Sequence, residues 1–148
     1  MNKALFMSNK DAWRTPQALY EQLNALYDFV LDAAASDENH KAQIYFTKEQ
    51  DALKQSWDFG GSVFCNPPYG KDIARWVLKA YHESTKGVTV VMLLPARTDT
   101  KWFHDLVLKN YAQIIWIKGR LKFEDENGKP GDSAPFPSMI VVFWGARK

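Results

Sequence analysis

The chain has 148 residues, 46% hydrophobic and 24% charged, which is the size and composition of one globular domain with one core. The net charge of +2 permits a nucleic-acid partner without arguing for one, and the single cysteine, Cys65, excludes an intrachain disulfide and a cysteine-based zinc cluster. The longest apolar run, residues 88–94, is too short to cross a bilayer, and no signal peptide is recognisable, so we expect a cytoplasmic protein without membrane contact.

The first part of the chain predicts a helix followed by a short strand. Thr15 suits an N-cap and Pro16 suits the first helical position, and apolar residues follow at spacings of three and four. Residues 29–31 are a short buried strand that ends at Asp32 in a run of small residues. In the less regular segment that follows, residues 44–47 suit a strand and residues 51–57 a helical turn.

The second part alternates strands and helices, which predicts an α/β fold with a mainly parallel sheet. The last two strands are joined by a long loop without a recognisable helix, so we expect them to pair antiparallel at one edge. Four strands are predicted at residues 63–65, 88–94, 114–117 and 139–144, helices are predicted from Asp72 to a stop at Gly87 and from Asp99 or Thr100, and the long loop covers residues 119–138.

A rigid turn, Asn66-Pro67-Pro68-Tyr69, follows the strand at residues 63–65. Proline fixes φ and donates no backbone hydrogen bond, so the chain can neither extend the sheet nor begin a helix there. This leaves the Asn66 carboxamide at a strand end, and we expect it to point out of the fold. The loops that carry Asp32, Asn66, residues 95–97 and residues 119–138 all follow strands, and in a parallel sheet such loops meet at one edge, where sites form.

An Asn-Pro-Pro-Tyr turn after an apolar strand resembles the catalytic signature of amino methyltransferases that use S-adenosylmethionine. The wider set of motifs is similar to the small phage-type (Dam-like) DNA N6-adenine methyltransferases of phages and prophages. The resemblance runs from about residue 13 to residue 144. It rests on Trp13-x-Thr15-Pro16, residues 31–34, residues 45–47, Asp51-x-Leu53, Trp57, residues 64–70, residues 93–98 and Gly119-Arg120-Leu121-x-Phe123.

The resemblance implies a Rossmann-like, S-adenosylmethionine-dependent methyltransferase that occupies residues 1–148 as one compact domain, without a separate target-recognition domain. It implies double-stranded DNA as the partner, adenine N6 as the methyl acceptor, no metal, and the cytoplasm of a bacterial host or phage-infected cell as the location. Protection from host restriction fits such a family. Monomer and homodimer both remain open.

The chemistry of amine methylation explains the residues of the turn. The N6 lone pair of adenine is delocalised into the ring, so the nitrogen is a poor nucleophile. The Asn66 carboxamide oxygen and the Pro67 carbonyl can each accept one of its N–H groups, which favours the pyramidal form as positive charge develops. Tyr69 would stack on the base, Pro68 stiffens the turn, and the target adenine must leave the duplex to reach them.

The resemblance implies a cofactor site that includes Asp32, where two interpretations of the carboxylate compete: contact with the cofactor's ammonium, or an acceptor that orders the loop. Ala33 begins an alanine-rich turn where most such enzymes have glycines, which let the backbone approach the cofactor. Trp13, Thr15 and Pro16 match the segment near the methionine end of the cofactor, although the last two also suit a helix start. Asp51 matches an acid near the cofactor's adenine amine, or it is an exposed N-cap.

Basic and aromatic residues on the same edge are candidates for contacts with DNA or the target base. Phosphate binding needs cations there, although solvated surface charge is the simpler explanation for any single one. Arg97 and Arg120 are the better candidates because they lie inside matched motifs. Two phenylalanines can stack on the flipped base opposite Tyr69 or simply anchor the loop. These candidates are Lys71, Arg97, Arg120, Lys122, Phe123 and Phe136.

Two other functions remain open. The same tetrapeptide serves enzymes that methylate the side-chain amide of a protein glutamine, although the glycine-rich cofactor loop that would favour this is absent. The alanine-rich turn after Asp32 also allows a non-catalytic DNA-binding protein with a degenerate cofactor site.

Overall fold

A computed structural model of the chain describes residues 12–146. Within this range the chain forms a single six-stranded sheet flanked by helices. In chain order the elements are α1 (Gln17–Tyr27), β1 (Phe29–Asp32), β2 (Ile44–Tyr45), two 3₁₀ turns (Lys48–Gln50 and Ala52–Lys54), β3 (Ser62–Cys65), α2 (Ile73–Thr85), β4 (Val90–Pro95), a π-helix (Phe103–Leu108), β5 (Gln113–Trp116) and β6 (Ser138–Phe143).

The strand order is β2-β1-β3-β4-β6-β5, with β2, β1, β3 and β4 parallel. β6 runs antiparallel to both of its neighbours, so β5 lies at the edge and runs in the same direction as β4. The prediction of a mainly parallel α/β sheet with an antiparallel pair at one edge is therefore confirmed. The carboxyl ends of β1, β3, β4 and β5 meet at one edge, as the sequence predicted.

The sheet is stabilised by strands that are buried along most or all of their length. Every residue of β4 and of β6 is buried, including the predicted apolar run in β4. On one face the Tyr20 ring of α1 packs against Phe29 and Phe64, with ring centroids 5.6 and 5.2 Å apart. Each such buried side chain contributes about 1.5–3 kcal/mol. The site edge therefore rests on a fixed platform.

The start of α1 differs from the prediction. Thr15 does not cap the helix and Pro16 is not its first residue, because α1 begins at Gln17 with Pro16 before it. The first backbone N–H of the helix, on Gln17, instead donates to the Glu124 carboxylate at 2.9 Å. The first N–H group of α1 thus finds its acceptor in the long loop, whereas the sequence predicted the side chain of Thr15 in this role.

The other helices agree more closely with the sequence. Asp72 directly precedes α2, although its side chain makes no capping hydrogen bond, and Gly87 leaves the helix with φ +106°. After β4 the Phe103 N–H donates to Thr100 Oγ1 at 3.3 Å, as expected of a helix start, and the segment continues as a π-helix. Within residues 12–146 no helix is long and apolar enough to span a bilayer.

Candidate active site

The site edge is formed by the loops after β1, β3, β4 and β5 and by the segment that leads into α1. This segment, residues 13–16, lies against the turn after β3, so residues far apart in sequence come together there. Among residues 12–146 no three metal-ligating side chains lie together.

The Asn66 carboxamide is held by its nitrogen. Nδ2 donates to the Trp13 carbonyl oxygen and, at 3.0 Å, to Thr15 Oγ1. A backbone carbonyl can only accept, so the carboxamide must present its nitrogen to Trp13. The expectation that the carboxamide points out of the fold is wrong, because its nitrogen contacts residues 13 and 15 and its oxygen is buried.

The opposite end of the same carboxamide has no partner among the residues that the structure describes. Asn66 Oδ1 is buried, and no residue within 12–146 donates a hydrogen bond to it. A buried acceptor left unsatisfied costs about 1–3 kcal/mol, so such atoms are rare in folded proteins and call for an explanation. Asn66 Oδ1 is therefore an acceptor that none of residues 12–146 uses.

Tyr69 and Arg97 fix the far side of the turn. The Tyr69 side chain is buried and its hydroxyl donates to the Leu93 carbonyl oxygen of β4 at 2.9 Å. Burial raises the pKa of the Tyr69 hydroxyl well above its usual value, so the ring stays neutral. Arg97 donates from Nη1 to the Tyr69 carbonyl oxygen at 3.2 Å. The Arg97 guanidinium therefore supports the turn, whether or not it also meets phosphate.

Three aromatic rings pack beside this turn and form a cluster with the Tyr69 ring. Phe123 and Phe136, both from the long loop, meet the Tyr69 ring edge-on with centroids 6.2 and 5.7 Å away. The Trp13 ring meets the same two phenylalanines at 5.4 and 5.1 Å. The structure thus brings both predicted phenylalanines to Tyr69, where they anchor the loop. Stacking on a target base remains a prediction for all three.

Asp32 is buried at the end of β1, and its carboxylate organises the following loop. Oδ1 accepts from the Ala34 N–H at 3.3 Å, and Oδ2 accepts from the Lys41 N–H at 2.9 Å. Burial raises the pKa of Asp32 to about 6, although the two N–H groups and the nearby positive charges act to lower it. The Asp32 carboxylate thus accepts hydrogen bonds from the loop, and contact with a cofactor stays a prediction.

Lys41 joins three parts of the site, and the sequence alone gave no signal for it. Its ammonium lies 3.5 Å from the Glu124 carboxylate and donates to Gln17 Oε1 at 2.7 Å. Both charged side chains are nearly buried, at 9% and 15% exposed. The Glu124 carboxylate also accepts a hydrogen bond from the Gln17 N–H. The Asp32 loop, the start of α1 and the long loop are therefore held as one unit.

The remaining predicted residues are more scattered. The Ala33 N–H donates to the Phe64 carbonyl oxygen at 2.9 Å, which ties the alanine-rich turn to β3. Asp51 has φ +52°, and its carboxylate lies 3.8 Å from the Lys54 ammonium at the surface. Arg120 donates to the Ala134 carbonyl oxygen at 3.4 Å inside the long loop. Lys71 and Lys122 are exposed.

A cavity of about 470 Å³ lies beside β2. Its wall is mostly polar, and at one point the Tyr45 hydroxyl donates to Asp37 Oδ1 at 2.7 Å. The fold brings Asp37 to Tyr45, the last residue of β2. The cavity is lined by Asp37, Gln43, Ile44, Tyr45, Thr47 and Gln50.

The mixed six-stranded sheet, with a buried amide acceptor where a central strand ends, is consistent with a methyltransferase-like fold. Sequence comparison gives the family. The profile described as "DNA N-6-adenine-methyltransferase (Dam)" matches residues 3–148. The chain belongs to this Dam family.

Two named relatives agree with the family. A DNA N-6-adenine-methyltransferase of Haemophilus phage HP1 is 35% identical over 141 residues, which cover 92% of this chain and 80% of that protein. A DNA N-6-adenine-methyltransferase of Escherichia phage T1 is 38% identical over 151 residues, which cover 90% of this chain and 62% of that protein. The family profile, which matches residues 3–148, includes the whole site edge.

Proposed function

We propose that this protein transfers a methyl group from S-adenosylmethionine to N6 of adenine in double-stranded DNA, on a Rossmann-like scaffold. One observation carries the proposal. The Asn66 carboxamide nitrogen donates to Trp13 and Thr15, while its buried oxygen accepts from no residue within 12–146. That oxygen suits an N–H donor, and the exocyclic amine of adenine has two such groups.

The turn would activate the amine by accepting its protons in hydrogen bonds. Asn66 Oδ1 would accept one N–H and the Pro67 carbonyl the other, which draws the lone pair out of the ring as positive charge develops on N6. S-adenosylmethionine supplies the electrophilic methyl group when it is bound. The fixed platform of β3 and β4 then contributes by positioning the turn.

The residues of the β1 edge fit such a cofactor. The Asp32 carboxylate is buried with a raised pKa, so a cation placed beside it would relieve the cost of its ionisation. Small residues at Ala33 and Ala34 allow close approach of the backbone. The cavity beside β2 offers carboxylate and hydroxyl groups for the ribose and adenine ends of the cofactor. Trp13, Pro16 and Asp51 complete the set by resemblance.

The long loop would hold the DNA and the flipped base. Stacking on Tyr69 would require the base to enter the cluster that Phe123 and Phe136 now fill, so the loop must shift when DNA binds. Four cations would contact the DNA phosphates. Lys71 and Lys122 are exposed, and Arg97 and Arg120 each also donate a hydrogen bond to a main-chain carbonyl oxygen. We propose that the enzyme acts in the cytoplasm of the bacterial or phage-infected cell, where its DNA substrate lies, and that it serves restriction-modification.

The family match favours this function over the two alternatives. Both named relatives are DNA adenine methyltransferases, whereas neither is named as a modifier of protein glutamine or as a DNA-binding protein without activity.

The proposal is tested by incubating the protein with methyl-labelled cofactor and unmethylated DNA, followed by nucleoside analysis. Label is expected in N6-methyladenine. Asn66→Ala is expected to lower the transfer rate at least about 100-fold, because it removes one preorganised partner of the developing charge. Label in cytosine, or only in protein, would overturn the proposal.

Asn110→Ala is the matched control. The Asn110 side chain also donates to a main-chain carbonyl, that of Leu106 at 2.8 Å, but it lies between the π-helix and β5, away from the site edge. It should leave the transfer rate unchanged.

A further inference from the structure

We infer that Thr15 is a positioning residue for methyl transfer, which acts through Asn66 by fixing the direction of its carboxamide. The inference rests on the proposed function, since it assigns Thr15 a part in presenting Asn66 Oδ1. The observation behind it is a hydrogen bond of 3.0 Å between side chains 51 residues apart, from Asn66 Nδ2 to Thr15 Oγ1.

Thr15 is well placed to hold another side chain still. It is only 3% exposed, and it does not cap α1, so its hydroxyl is free for Asn66. On its two sides the chain is fixed: the Trp13 ring packs on Phe123 and Phe136, and the Arg14 carbonyl oxygen accepts from the Glu124 N–H at 2.9 Å. The acceptor pair formed by Trp13 and Thr15 is therefore rigid.

Two acceptors are needed because a carboxamide nitrogen has two N–H groups. One bond alone, to the Trp13 carbonyl, would leave the amide plane able to rotate about that contact. The second bond, to Thr15, fixes the plane and with it the direction of Oδ1. Catalysis by hydrogen-bond acceptors depends on such preorganisation, because an acceptor that must first reorient has lost part of its advantage.

This role differs from contact with the cofactor, which is what the resemblance implies for the segment that holds Thr15. A residue that orients Asn66 should change the rate of the chemical step and leave cofactor affinity alone. A residue that contacts the cofactor should change cofactor affinity first.

The test compares Thr15→Val, which keeps the shape and loses the hydroxyl, with Thr15→Ser, which keeps the hydroxyl. Single-turnover methyl transfer to DNA and the Kd of S-adenosylmethionine are measured for both. We expect Thr15→Val to slow transfer about tenfold, the value of one hydrogen bond, with an unchanged Kd, and Thr15→Ser to restore the rate to within about threefold. A Kd that rises with an unchanged rate, or no effect of Thr15→Val, would overturn the inference.

A double-mutant cycle isolates the link between the two residues. If Thr15 acts only through Asn66, then Thr15→Val combined with Asn66→Ala should be no slower than Asn66→Ala alone. Effects that multiply would show that Thr15 acts elsewhere and would overturn the inference. If Thr15→Val does not fold, as judged by thermal unfolding, Thr15→Ala and Thr15→Ser are compared instead, and equal rates for these two count against it.

The cycle also separates this inference from the proposed function. If Asn66→Ala itself keeps the normal rate, the proposed role of Asn66 fails and the inference fails with it. If Asn66→Ala is slow while Thr15→Val is as fast as the unaltered protein, the proposed function stands and only the inference about Thr15 is overturned.

Discussion

The Asn66 carboxamide nitrogen donates to two acceptors of different kinds. This difference determines which side chains can stand at position 66. The Thr15 hydroxyl can donate or accept, whereas the Trp13 carbonyl can only accept. An aspartate carboxylate has nearly the same shape as the carboxamide, but it would direct an anionic oxygen at the Trp13 carbonyl oxygen in place of the present hydrogen bond. The site therefore requires an amide, or a carboxyl group that has kept its proton.

Asn66→Asp should for this reason be nearly inactive at pH 8 and recover partly as the pH falls towards 6. Protonation would restore a donor towards Trp13 while the other carboxyl oxygen remains an acceptor. We expect transfer at least about 100-fold slower than normal at pH 8, measured under single-turnover conditions across this range. Asn66→Ala, which has nothing to protonate, should show no recovery. A normal rate for Asn66→Asp at pH 8 would contradict the described orientation of the carboxamide.

Asp32 gives a second prediction at the level of one residue, since its pKa of about 6 lies close to working pH. If the carboxylate meets the cofactor's ammonium, only the ionised form binds well. The affinity for S-adenosylmethionine should then be constant above about pH 6 and weaken up to tenfold for each pH unit below it. Calorimetric titration measures this directly.

Asp32→Asn should flatten that pH profile, and Asp58→Asn, at an exposed position before β3, should leave it unchanged. Cofactor binding that does not depend on pH in the unaltered protein would mean that the Asp32 carboxylate serves only to order the loop through Ala34 and Lys41.

The strands were predictable because their signals are local. The apolar run that forms β4 indicates a strand buried on both faces. The prolines after Asn66 end β3 whatever its tertiary surroundings are. The start of α1 was not predictable in the same way. Thr15-Pro16 carries a good local signal for a helix start, yet Glu124, 107 residues from Gln17, supplies the capping acceptor. Contacts of such separation are set by the fold and leave no mark on sequence spacing.

The features of the candidate site fall into the same two groups, those with a local signal in the sequence and those without one. Asn66, Tyr69 and Asp32 were located by strand ends and by a resemblance, both of which the sequence displays. The partners that give these residues their geometry, Thr15 for Asn66 and Lys41 for Asp32, come from segments whose paths only the folded chain reveals. The sequence therefore indicated the residues that are proposed to carry the chemistry, but not the contacts that hold them in position.

The contact between Lys41 and Glu124 makes the long loop part of the same unit as the Asp32 loop. Glu124→Ala removes the partner of a nearly buried ammonium and the acceptor for the first N–H of α1. We expect it to lower the free energy of unfolding by about 2–4 kcal/mol, measured by urea denaturation.

Glu126→Ala is the control for this prediction, because Glu126 is exposed in the same loop and only its backbone carbonyl is used, by Arg14. It should be nearly neutral. Lys41→Met combined with Glu124→Ala should cost less than the sum of the two single changes, since they remove one interaction. Equal costs for Glu124→Ala and Glu126→Ala would show that the ion pair does not stabilise the loop.

At the scale of the whole molecule, two buried carboxyl groups should give stability opposite dependences on pH. Burial acts to raise the pKa of Glu83, but the Trp57 N–H and the ammonium groups of Lys79 and Lys86 outweigh it, so the pKa lies below its usual value of 4.5. Glu83 therefore stabilises the fold above about pH 4.5, and this stabilisation is lost as the pH falls below that value.

Asp32 has the opposite sign. Its pKa is about 6 in the folded protein against 3.8 ordinarily, so the folded state holds a proton that the unfolded chain releases between these values. The contribution of Asp32 to the free energy of unfolding is largest below pH 4. It falls by about 3 kcal/mol in all as the pH rises through 6. In protein free of cofactor, acidification from pH 7 to pH 5 should act through Asp32 before Glu83 is affected.

Urea unfolding of the cofactor-free protein between pH 3.5 and pH 8 separates the two groups. The free-energy difference between the unaltered protein and Glu83→Gln should be constant above pH 5 and shrink below 4.5. The difference between the unaltered protein and Asp32→Asn should change in favour of the unaltered protein as the pH falls from 7 to 4. Only the slopes matter, because Asp32→Asn also removes an acceptor for the Ala34 or Lys41 N–H. Slopes of the same sign for both variants would contradict the opposite electrostatic environments that the fold gives to the end of β1 and to α2.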